Sequence, residues 1–144
     1  MAHRILLYIH IASAILTIGP FFAVLPIIKK LRDAQESVLE AYISTFKFVV
    51  RFTMHAGHVL VVSGILLVVF SSWTWTTSWI LVPVLVMVSS LYFFARAFSP
   101  LLRKFTEEKQ DREVLSKKLM SATIWYILIL LVVLGFMVIK PNLW

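Results

Sequence analysis

The sequence predicts an all-α polytopic membrane protein, a bundle of four transmembrane helices with both termini outside. Three observations carry that expectation. The chain is 60 % hydrophobic and only 15 % charged, and its mean hydropathy is +0.92. A soluble domain is nearer half apolar and a quarter charged, so this chain has too little polar surface to cover a globule in water. Its apolar residues fall into four runs of bilayer length. Its charges fall almost wholly into the segments between alternate runs.

The first run is 5–28, between Arg4 and Lys29. It is longer than the apolar core of a cleavable signal peptide and has no small-residue cleavage site after it, so it is expected to stay as a helix. The second run is 52–70, the third 79–95 and the fourth 119–139. Each is near the ~20 residues that cross a ~30 Å hydrocarbon core at 1.5 Å per residue. None shows barrel-type alternation, and backbone in lipid must bond internally, so all four are read as helices. Pro20, Pro26 and Pro83 lie in these runs, where membrane helices tolerate a kink.

Of the fourteen Lys and Arg residues, all but Arg4 and Lys140 lie in or beside the segments 29–47 and 99–118. The turn between runs two and three, SSWTWTTS, is uncharged. The positive-inside rule puts those two charged loops in the cytoplasm, in a multi-pass protein of a bacterial-type cytoplasmic membrane. Trp73, Trp75, Trp79 and Trp144 then form an aromatic belt at the outer edge. The loops are expected to extend the helices past the membrane. Lys104/Glu108, Glu108/Arg112 and Glu113/Lys117 are spaced four apart as on an exposed helix. Asp33 followed by Glu36 resembles a capping box opening the second helix. The loop cations suit anionic lipid headgroups at ~1 kcal/mol each, and sequence-specific nucleic-acid binding is excluded because acids alternate with them.

The chain has no Cys, which excludes disulfides, thiolate metal sites and a cysteine nucleophile. It has neither a Gly-rich phosphate loop nor an H-E-x-x-H motif. All seven carboxylates lie in the charged loops, so no span offers an acid as base, cation ligand or proton carrier.

Ionisable residues inside a span carry a functional expectation by default, because lipid penalises them. At 100° per residue His3, His10, Ser13, Thr17 and Phe21 share one face of helix one, and Arg51, His55 and His58 share one face of helix two. Thr53, Gly57 and Gly64 lie opposite, small enough for close helix approach. The polar side of helix two, with Arg51, is therefore expected to point into the bundle together with Ser13 and Thr17. Arg51 also reads as a snorkelling anchor at the inner interface. Three roles compete for the histidines: metal or haem ligation, proton or quinone chemistry, and a plain hydrogen bond to Ser, Thr or a carbonyl on the next helix.

Depth separates the ligand sets. His10 lies ~10 Å outward of the midplane, His58 ~5 Å and His55 ~9 Å inward. One metal does not easily join His10 to the other two. His55 and His58 project from one face and cannot be opposite axial ligands of one haem, though they would chelate a small metal ion given a third ligand. Met137, ~12 Å outward on helix four, is the better haem partner for His10.

A first helix with one His near its outer end stands beside Arg51, Gly57 and Gly64 on the second and Met137-Val-Ile-Lys140-Pro141 closing the fourth. In this pattern the chain resembles small bacterial four-helix integral membrane proteins of uncharacterised function, distantly similar to the HemJ-type protoporphyrinogen oxidase and the copper-resistance-D membrane domain. The resemblance implies a haem, porphyrin or copper connection, with His10 the counterpart of the first-helix His. The leading expectation is a haem-, porphyrin- or metal-linked redox membrane protein, with haem b or a transition metal as cofactor. The competing expectations are a small transporter or channel working as a homo-oligomer, and a non-catalytic membrane subunit or scaffold.

Overall fold

The computed structural model describes residues 1–107 and 111–143, without the side chains of 91, 94, 95, 97, 106 and 107. Four helices, α1 (Ala2–Asp33), α2 (Glu36–Val69), α3 (Ser78–Glu107) and α4 (Arg112–Ile139), make up these residues, with no strand among them. They run 28 to 34 residues, or ~42–51 Å at 1.5 Å per residue, longer than the hydrocarbon they would cross. Successive helices reverse direction, so the start of α1 and the end of α4 share one end of the molecule. Helix α1 packs along α2 and α4, α4 along α3, and α2 touches α3 more lightly.

The helices outrun the apolar segments, as expected of the charged loops. Helix α1 continues to Asp33 through Pro20 and Pro26, and α3 continues to Glu107 through Pro83 and Pro100. The turn between α1 and α2 shrinks to Ala34 and Gln35. That corrects the capping-box reading. Asp33 ends α1 and takes the Arg32 guanidinium at 3.0 Å, while Gln35 occupies the N-cap of α2 without a side-chain bond. At α4, Asp111 is the cap and accepts from the Glu113 amide at 3.2 Å. The Glu113–Lys117 pair forms at 2.7 Å, and the pairs drawn through Glu108 lie outside the described residues, as does Trp144. Arg112 donates to the Ala34 carbonyl at 2.9 Å and pairs with Glu36. One side chain thus ties the start of α4 to the α1–α2 turn.

Three helices, α1, α2 and α4, are long and apolar enough to cross a membrane. In α3 the side chains are described without a break over the apolar stretch Ser78–Ser90. Further along the helix Arg96 lies over the Tyr92 ring at 5.0 Å. Outward faces are largely apolar: Tyr8, Ile15, Phe48, Phe70, Val88, Trp125 and Val132 are exposed. Such a surface would aggregate in water and is satisfied by lipid.

Inside, each helix gives one aromatic ring to a buried cluster. Phe21 meets Tyr126 at 4.9 Å and Phe98 at 6.1 Å; Phe98 meets Phe46 at 6.0 Å. Tyr126 is also hydrogen-bonded to Ser90. Tilted and edge-to-face contacts of this kind add to simple burial. The plug fills the space between the four helices toward their charged end.

Candidate functional site: an apolar cavity at the termini end

Toward the other end the helices leave a cavity of about 570 Å³, within the usual range of small-ligand sites. All four helices line it. Helix α1 contributes positions from Leu7 to Gly19, α2 contributes Gly64 and Leu67, α3 Trp79 and Pro83, and α4 Leu134 and Met137. The aromatic plug starts on α1 just past Gly19, with Phe21. Among the described residues two lining side chains ionise, His10 and Lys140.

The His10 imidazole is held by the neighbouring helix. Its Nδ1 lies 3.1 Å from the Leu60 carbonyl and 3.1 Å from Ser63 Oγ. The Ser63 hydroxyl itself donates to that carbonyl at 3.0 Å. Both neighbours therefore offer lone pairs to Nδ1, so Nδ1 carries the proton and donates. In the neutral ring this leaves Nε2 with the free lone pair, the tautomer in which histidine ligates a metal with its other nitrogen fixed by a carbonyl. Gly64 makes room for this. A Cβ there would come 3.0 Å from His10 Cε1 and 3.5 Å from Nδ1.

Ser13, Thr17 and Phe21 are buried on the same face of α1, which is turned inward. Their hydroxyls are spent on their own helix: Ser13 donates to Ile9 at 2.7 Å and Thr17 to Ser13 at 2.7 Å. Met137 is half-buried and lines the same cavity as His10.

Helix α2 departs from expectation. Thr53 and Gly57 are buried, while Arg51, His55 and His58 are exposed on the face turned away from the other helices. Small residues let α2 approach its neighbours closely, and that requirement takes the inner face for Thr53 and Gly57. The His55 and His58 rings stand 6.3 Å apart, and among the described residues no group of three or more His, Cys, Asp or Glu gathers to hold a metal ion. Among the same residues the buried Thr53 hydroxyl has no hydrogen-bond partner.

Sequence reasoning missed the Lys140 arrangement. The Lys140 ammonium lies 5.0 Å over the ring of Trp73 and 5.0 Å over that of Trp79. The two indoles meet edge to face at 4.8 Å. The available signal was the isolation of Lys140 from the other cations, next to a Trp-rich turn.

Long apolar helices, a lipid-compatible surface and an internal polar handle define a helical integral membrane protein with a ligand-sized cavity. The chain belongs to the family described as predicted integral membrane protein (DUF2269), whose family model matches residues 4–141. No curated protein matches it, and neither does any solved structure.

Proposed function

We propose that the protein is a four-helix transmembrane bundle of a bacterial-type cytoplasmic membrane, with both termini outside, whose cavity binds haem or a related porphyrin. The observation that carries this reading is His10: its Nδ1 proton is committed to Leu60 and Ser63, which leaves Nε2 as a ligand in a cavity it lines. Met137 supplies a thioether in the same cavity, and His/Met is an established axial pair for haem iron. The orientation rests on the distribution of Lys and Arg and on the Trp-rich turn at the end opposite the charged loops. This is also the reading in which a distant kinship to HemJ-type and copper-resistance-D membrane domains has a chemical basis.

The chain's residues divide the work. Ser63 and Leu60 orient the imidazole, Gly64 leaves it space, and the Phe21–Phe98–Tyr126 plug closes the cavity toward the cytoplasmic half. A bound haem would supply one-electron redox chemistry. No span contains a carboxylate, so proton coupling through the membrane has no acid to use.

The test is the ultraviolet–visible spectrum of protein purified in mild detergent, oxidised and then reduced with dithionite, with metal analysis of the same sample. The reading expects a Soret band that shifts on reduction, and iron in step with it. A featureless spectrum and no haem uptake on addition of haemin would overturn it.

A second reading, a small transporter working as a homo-oligomer, is favoured by the exposed Arg51, His55 and His58. Polar groups facing lipid are costly, and a second copy would cover them and offer the third ligand a metal on His55 and His58 would need. A strictly monomeric species in mild detergent would count against it.

A further inference from the structure

We infer that Lys140 anchors a carboxylate of the cavity's ligand, so that the ligand is an amphiphile lying with its apolar body among the helices and its acid group at the outer surface. This rests on the haem reading and deepens it, since haem carries two propionates.

The position of Lys140 is built. It caps α4 in the left-handed region at φ 51° and ψ 53°, and it is the one non-glycine residue with positive φ among the described residues. Side chains seldom adopt that backbone. Its amide donates to the Phe136 carbonyl at 3.0 Å. The next residues are clipped to α3 by the buried Ser78: its hydroxyl donates to the Pro141 carbonyl at 2.8 Å and accepts from the Leu143 amide at 3.0 Å. The same Ser78 precedes Trp79. One buried hydroxyl therefore sets both the cation and one of the rings that hold it.

The charge is placed, and among the described residues no carboxylate pairs with it. Two indole faces stabilise an ammonium without neutralising it, and an ammonium has three donors to direct. Every Asp and Glu of the chain lies in the segments 33–40 and 107–113, at the opposite end. Ion pairs form there, at Arg32–Asp33, Arg112–Glu36 and Lys117–Glu113. At the cavity end a fixed cation borders an apolar space that also holds the His10 ring. An amphiphilic carboxylate satisfies both, and so at lower specificity would a phospholipid phosphate at the rim.

The experiment titrates haemin and its dimethyl ester, in which both propionates are blocked, into full-length protein in phosphatidylcholine nanodiscs. Wild type is compared with Lys140→Met and Lys140→Arg. The inference expects Lys140→Met to weaken haemin binding about tenfold or more, as for loss of a charged hydrogen bond. It also expects ester binding to be unchanged in that variant, and Lys140→Arg to keep most of the haemin affinity. Equal affinity of wild type and Lys140→Met for haemin would overturn it. So would a haemin affinity equal to that of the ester which falls when half the lipid is phosphatidylglycerol, because Lys140 would then serve headgroup phosphate. If wild type binds neither haemin nor ester, the haem reading fails and this inference fails with it. If both bind equally well to every variant, only this inference fails.

Discussion

Gly64→Ala is the sharpest perturbation available at the His10 site. The new Cβ would stand 3.0 Å from His10 Cε1, whereas carbon atoms rest comfortably at ~3.5 Å or more. The ring must retreat by about 0.5 Å. Nδ1 now sits 3.1 Å from the Leu60 carbonyl, and a retreat of that size directly away from it brings the separation to ~3.6 Å, too long to count as a hydrogen bond. Losing an interhelical hydrogen bond in a membrane bundle costs ~0.6 kcal/mol. Alanine returns about 0.8 kcal/mol of helix propensity. Stability should therefore change little. The ligand should not be so spared, because loss of the group that orients a ligating histidine typically costs about tenfold or more in metal affinity. Gly19→Ala is the control: Gly19 lines the same cavity, yet a Cβ there meets nothing within 4 Å. Thermal unfolding in detergent and haemin titration would be run on both variants. Identical haemin affinities for the two would refute the claim that Gly64 exists to seat His10.

Ser78→Ala removes the clip on the α4 terminus and strands the Pro141 carbonyl and Leu143 amide. We expect a loss of about 1–2 kcal/mol in detergent unfolding, with faster amide exchange confined to residues 140–143. His55→Ala with His58→Ala should leave haem spectrum and affinity unchanged, because both rings face away from the cavity; a lost Soret band would contradict the site assignment. The chain has no cysteine, so single introduced cysteines report topology cleanly. A Cys at Ser72 should react with an impermeant maleimide on intact cells, and one at Gln35 only after permeabilisation; the reverse pattern would invert the proposed orientation.

The helices were readable because lipid imposes one rule on the whole chain. Apolar runs, loop cations and the Trp-rich turn each respond to the bilayer rather than to a particular partner. The inward face of α1 was legible for the same reason, since His10, Ser13 and Thr17 recur at helical spacing. Other features depended on choices that spacing does not make. Helix α2 has two faces able to pack, and which one wins depends on how closely α1 approaches Thr53 and Gly57. Asp33 matched a cap but is the last residue of a helix that runs further than its apolar segment. His10 was legible as a candidate, while the Leu60 carbonyl and Ser63 hydroxyl that decide its tautomer belong to another helix. Lys140 needed three separate segments to meet before it became a site.

The most direct test of the central claim replaces the imidazole itself. His10→Gly would be purified, titrated with haemin, and titrated again in the presence of free imidazole. The account predicts that the low-spin Soret band of the wild type is lost in the variant and returns with imidazole, which enters the space the side chain left. A variant that keeps the wild-type spectrum without imidazole would contradict it, because the iron would then be held elsewhere.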